Sequence, residues 1–314
     1  RRMSVSECPH TFRLVSVGPE IWICKGTFHL GENQTEGLTY KGLKGRLLEN
    51  GLGGSLEAEV LNTDPLSSSE WLGEEKENVR RLLGGEDLPF PIDTTMTVVR
   101  LSGDGGDGSL LVLHSPVPID PDLRAEIDVL GKVAFIIAPN LQHWLFVPHA
   151  SRLFPDAKVF VAPSACGENL AEKMPEVPCH VLRDDGGEDI PGLPQQLLRG
   201  APLMMNEVLF FHGPSKTLIA SDGFYGGHKK EMCPTWFARL WFRVTKDHWQ
   251  ICKLPSYRTT RVVSHGNPKE LLACVEDLVS RWEFEQIIYA HGSPPFREQP
   301  RKAFVDSWKA ILDL

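Results

Sequence analysis

Three apolar runs in this chain stop at residues that can hold a metal ion or move a proton. FIIAPNLQH leads from Phe135 to Asn140 and His143, TLIASD ends at Asp222, and QIIYAHG carries His291. Strand backbones lie inside a fold, so side chains just past strand ends converge on one rim, where a site can be assembled from distant parts of the sequence. Two neutral imidazoles and one carboxylate form a ligand set for zinc or iron, and three protein ligands leave a position open for water. On zinc such a water has a pKa near ~7, so hydroxide is available at neutral pH. His114, which follows SLLVL, is a further donor expected at the rim. A plainer reading stands beside the hydrolytic one. In it His143 bridges loop backbone groups, Asp222 accepts its hydrogen bond, and both serve structure alone.

The elements that must position these residues follow from local patterns. FRLVSVGPEIWICKG reads as two β-prone pieces broken at Gly18-Pro19. TMTVVRL and SLLVLHS are two strands joined through GDGGDG, which lacks the endings of a phosphate loop or a calcium loop and is a turn. Asp120-Pro121 opens a helix that Gly131 ends. VAFIIAP, a short helix from about Pro148 to Phe154, and AKVFVAP come next. EVLFFH and TLIASD pair around Gly213-Pro214-Ser215. Asn267-Pro268 opens a helix with a 3.6-residue stripe of Leu271, Leu272, Val275, Leu278, Val279 and Trp282. QIIYAHG is the following strand, and a terminal helix carries Phe304, Trp308 and Ile311. Hairpins in both halves with helices outside them predict two sheets packed together between helical layers. Residues 31–69 are rich in Gly and Ser, and SSSEWLGEEKENVRRLLGG is helical in pattern, so 31–88 is expected to be an insertion or long loop with one helix.

Composition narrows the function classes. The chain has 314 residues, 41% of them hydrophobic, enough for a substantial core. A net charge of −8 without a basic stripe argues against nucleic acid as a partner. No run of roughly 18 apolar residues is present, so no transmembrane segment is expected. The opening RRMSVSECPH has no apolar signal core, and the seven cysteines are scattered without a CxxC pair. An intracellular setting follows, cytoplasmic or organellar after removal of a targeting peptide. Among the remaining candidates, His149 reads as a surface residue, His212 as a hairpin end, His228 as solvent-facing and Glu207 as a cap at a strand start. Cys166 and Cys233 lack the electropositive setting that activates a thiol. PTWFARLWFRVTKDHW, residues 234–249, reads as a helical cap over the core. Its sharper alternative is a hydrophobic lip for a lipid-like substrate, a membrane surface or a protein partner.

The order of strand, loop histidine, strand-Asp and strand-His-Gly resembles the metallo-β-lactamase superfamily. Within it, TMTVVRL, LHSPVPIDPDLRAEIDVLG, IIAPNLQHWLF, the run from NEVLFFHGPSKTLIASD and WEFEQIIYAHG are similar to a family described only as a domain of unknown function. The resemblance covers most of residues 94–295 and the opening FRLVSVGPEIWICKG. It implies an α+β fold, a four-layer αββα sandwich of two mixed β-sheets flanked by helices, with residues 1–314 as a single domain of that type. The usual metal loop reads His-x-His-x-Asp-His. Here Ala138, Asn140 and Gln142 stand at its first three ligand positions, and LMMNE, residues 203–207, has no histidine where another is usual. His143, Asp222 and His291 remain, all from the second site of a two-metal enzyme. The resemblance therefore implies a degenerate centre holding one zinc or iron ion on His143, Asp222 and His291. His114 and Asn140 would orient an ester-like or thioester-like small-molecule substrate in a hydrolase. The alternative is a metal-free, inactive scaffold that binds a protein or lipid partner through its rim or the 234–249 segment.

Overall fold

A computed structural model of the chain describes residues 13–29, 91–101, 109–165, 167–184, 187–201, 206–227 and 267–312. The expected 31–88 insertion, the GDGGDG turn, the Trp-rich segment 234–249, Cys166, His228 and Cys233 lie outside the described residues. The chain divides into two compact units, one of residues 1–26, 94–226 and 251–314, the other of 27–93 and 227–250. The second is described only at two strand ends and Gly227, so the architecture below is that of the first.

Among the described residues the strands are β1 Leu14–Gly18, β2 Ile21–His29, β3 Pro91–Leu101, β4 Leu110–His114, β5 Lys132–Ala138, β6 Lys158–Val161, β7 Cys179–Val181, β8 Gln195–Leu197, β9 Val208–His212, β10 Thr217–Ile219 and β11 Gln286–Ile288. The first seven form one sheet in sequence order, and the other four form a second sheet in the order β11-β10-β9-β8. Both sheets are mixed. β3 and β4 are an antiparallel hairpin, whereas β4, β5, β6 and β7 run parallel. β8, β9 and β10 are antiparallel, and β11 joins β10 in parallel.

Alternation along the strands sorts side chains into layers. Val99, Val112, Ile137 and Phe160 point from the first sheet toward Val208, Phe210, Ile219 and Ile288 of the second and form the inter-sheet core. Met96, Val98, Leu111, Leu113 and Ile136 point the other way. That outer face is covered by helices α1, Pro121–Leu130, and α2, Val147–Leu153, through Leu123, Ile127, Val147 and Ala150. A short helix α3, Leu170–Lys173, adds Leu170. The far side of the second sheet takes α4, Pro268–Arg281, and α5, Pro300–Leu312, which pack on each other. The Trp282 ring stacks on Phe211 of β9, 5.7 Å between centroids. Two mixed sheets between helical layers are the α+β arrangement the patterns predicted.

Local signals operate as read. Asp120 accepts a hydrogen bond from the Leu123 N–H at 2.7 Å, Pro121 sits at the first turn, and Gly131 ends the helix. A side chain at Gly131 would place its Cβ 2.3 Å from the Ser109 carbonyl oxygen, so the close approach of β4 and α1 requires glycine. Asn267 caps α4, whose Leu271, Val275 and Leu278 are buried. Cys24, Cys179 and Cys274 are free thiols. No helix among the described residues is long and apolar enough to cross a membrane.

Candidate metal centre

The register of two strands sets the geometry of the rim. β10 and β11 are parallel with Ile219 opposite Ile288, so Asp222 and His291 each stand three residues past the same rung. Backbone bonds from Ala220 N–H to Ile288 O and from Ala290 N–H to Ser221 O, 2.9 and 3.0 Å, continue the pairing beyond the strands. His143 arrives from the other sheet, on the loop that follows β5. Pro139 O accepts from Val208 N–H at 2.8 Å, tying the start of that loop to the first residue of β9.

The three residues meet. Asp222 Oδ1 lies 3.3 Å from His143 Nε2 and 3.2 Å from His291 Nε2. The two imidazole centroids are 5.2 Å apart, and one ligand atom from each residue falls within 4.8 Å of the others. Side-chain exposure rises from 9% for His143 to 20% for Asp222 and 30% for His291, so the cluster is open to solvent on one side. Burial pushes the Asp222 carboxyl upward, but the charges and hydrogen bonds of His143 and His291 outweigh it and hold the group well below the usual carboxylate range.

A second set of residues fixes the first. Ser115 Oγ is 2.7 Å from His143 Nδ1 and so orients the ring with Nε2 toward Asp222. Asn140 Oδ1 accepts from the Gln142 and His143 N–H groups at 2.8 and 2.9 Å, which shapes the loop. Its Nδ2 donates to Asp222 Oδ2 at 2.9 Å and to Glu207 Oε2 at 3.0 Å. Glu207, fully buried, accepts from the backbone N–H groups of Ser221, Asp222 and Gly223 at 2.7, 2.8 and 2.9 Å. Burial and then the charge of Asp222 push its carboxyl up to about 7, against the pull of the Ser221 and Gly223 N–H groups and Asn140.

Of the residues expected to orient a substrate, Asn140 is fully buried within this network, and His114 is 2% exposed in the inter-sheet core. The His114 ring meets Phe210 edge-on at 5.6 Å, and neither ring nitrogen has a hydrogen-bond partner among the described residues. Burial first, then His143, drives its pKa down to about 3. Ser115, the next residue, is the one that touches the site, at φ 54°. Its signal in the sequence was only its place after a strand end. His149 bonds the Ile119 carbonyl and His212 bonds Ser215, so neither joins the cluster. Glu207 was expected to cap or pair at its own strand start; its side chain instead reaches across to bond the 221–223 turn.

The donor set suits a zinc or iron ion: two imidazoles and a carboxylate, clustered, with the His143 ring and the Asp222 backbone already held by partners. Residues 88–226 match the model of a family described as "Domain of unknown function (DUF4336)". A search of curated proteins returns no match. Among solved structures, the chain is similar to a metallo-β-lactamase from Hirschia baltica, with 10% identity, coverage of 95% of this chain and 96% of that one, and a TM-score of 0.51. It is also similar to TMB-1, studied for substrate and inhibitor binding, with 6% identity, coverage of 95% and 97%, and a TM-score of 0.50.

Proposed function

We propose that this chain, which has the metallo-β-lactamase fold and carries the DUF4336 region over residues 88–226, is a hydrolase that uses a single metal ion. The observation that carries the reading is the convergence of His143, Asp222 and His291 at the end of three strands, with ligand atoms within 4.8 Å. A zinc or iron ion held there would supply Lewis acidity toward an ester or thioester carbonyl.

The remaining work falls to the chain. Ser115 holds the His143 ring from behind, so that its Nε2 lone pair faces inward once the proton resides on Nδ1. Glu207 grips the backbone of residues 221–223 and presents the Asp222 carboxylate between the two imidazoles. The graded exposure across the cluster, least at His143 and most at His291, sets the side from which a substrate arrives.

The test is elemental analysis of protein purified without chelator, followed by assay on short-chain esters and thioesters. About one ion per chain is expected, with hydrolysis lost in H143A and H291A. Metal far below one equivalent, unrestored by zinc or iron, would remove the enzymatic reading.

One observation favours a second reading. Asp222 already bonds both imidazoles directly, so the cluster is satisfied as a hydrogen-bonded set. On that reading the chain is a scaffold for a protein or lipid partner, and an H143A/H291A double variant folds and keeps its partner.

A further inference from the structure

Asn140 uses its entire hydrogen-bonding capacity in a fully buried place. The carbonyl end takes two backbone N–H groups, from Gln142 and His143. The nitrogen carries two protons in one plane, and two carboxylates lie within reach, Asp222 Oδ2 at 2.9 Å and Glu207 Oε2 at 3.0 Å. A fully buried carboxylate, Glu207, and a largely buried one, Asp222, converging on a single atom ordinarily call for a cation there, because their repulsion is poorly screened by water. The metal loop that this chain resembles has its second histidine at the place of Asn140. A further ion does not fit here, since the amide fills the point between the two carboxylates with N–H protons and has no lone pair to give an ion there.

We propose that the Asn140 amide is the uncharged stand-in for a cation between Glu207 and Asp222, and that this one residue keeps a second ion out of the centre. Its two N–H bonds bridge the carboxylates as an ion would, and the three backbone N–H groups on Glu207 complete the compensation. The amide contributes this without the affinity, exchange or chemistry of a metal.

The idea is open to a near-isosteric exchange. Asn140→Asp keeps an oxygen to accept from Gln142 and His143 and replaces the donor nitrogen with a second acceptor. Three carboxylates then face one point, a set that suits zinc or manganese. Zinc and manganese are counted by elemental analysis after equilibration of wild type, N140D and N140D/E207Q with each metal. The expected result is one ion more in N140D than in wild type, whether wild type holds none or one, and a return to the wild-type number in N140D/E207Q. Equal counts in wild type and N140D would overturn the proposal, as would two ions in wild type. If N140D fails to accumulate without added metal, rescue by zinc supports the proposal and failure to fold with zinc present overturns it. A wild type with no ion alongside an N140D with one would sink the single-metal hydrolase and leave this inference standing.

Discussion

Ser115 and Gly223 are the residues on which the aim of the cluster turns. The 2.7 Å contact between Ser115 Oγ and His143 Nδ1 holds the ring on the side opposite its Asp222 contact. Loss of an outer partner of a metal-bound histidine lowers affinity by about 10–100-fold, so S115A is expected to weaken zinc binding to that degree while stability changes little. Competition against a chromophoric chelator measures it, and an unchanged affinity would mean the hydroxyl does not position the ring. Gly223 touches the carboxylate from the other side. A Cβ there would lie 2.9 Å from Glu207 Oε1 and 3.2 Å from a methyl of Leu209. Crowding of this kind costs about 1–3 kcal/mol, so G223A is expected to lower stability by that amount in urea unfolding. Zinc affinity should fall with it, because the displaced carboxylate grips the Asp222 backbone.

The elements around the rim separate stability from the site. Asp120 caps α1 through the Leu123 N–H, on the outer layer and outside the cluster. D120A is expected to cost about 1 kcal/mol in urea unfolding with zinc binding untouched, and a loss of zinc in that variant would tie α1 to the centre. Much of this level was legible in the amino-acid order. Asp-Pro and Asn-Pro starts, the Gly131 stop and the two hairpins each rest on a local rule, and the structure has them where those rules place them. His143, Asp222 and His291 stood out because each follows a β-prone run. The contact of Ser115 with His143, and the pair of hydrogen bonds from Asn140 to Glu207 and Asp222, were not legible. They depend on which strand ends lie side by side in the first sheet, as those of β4 and β5 do, and which meet across the two sheets, and no local pattern encodes that pairing. The buried state of His114 also rests on the second sheet: alternation on β4 turns it to the face of Val112, and Phe210 of β9 covers that face.

Across the molecule, titratable groups lie in the interior of the described residues, and each tilts stability with pH. His114 and His212 are each 2% exposed, and burial lowers their pKa values to about 3 and about 4. In the unfolded chain each titrates near 6.5, so between those values the unfolded state binds more protons. The stability they allow is complete above pH ~6.5 and is lost as pH falls, down to about 4 for His212 and about 3 for His114, at about 1.4 kcal/mol per pH unit for each. Glu207, pushed up to about 7, tilts the other way, because the folded chain takes up its proton first as pH falls. H212Q removes one histidine slope and leaves Glu207 in place. Urea unfolding at pH 6.5, 5.5 and 4.5 should show the variant losing stability less steeply than wild type by about 1.4 kcal/mol per unit. Matching slopes would mean that His212 is protonated inside the fold. A different constraint follows from the shared rung of Ile219 and Ile288, beyond which Asp222 and His291 stand at equal step counts. Chain length past that rung works as a ruler: one inserted residue before His291 would swing the imidazole to the opposite face. Substitutions around it would leave the alignment standing, so a lineage could rewrite nearly every letter here and still keep the measure.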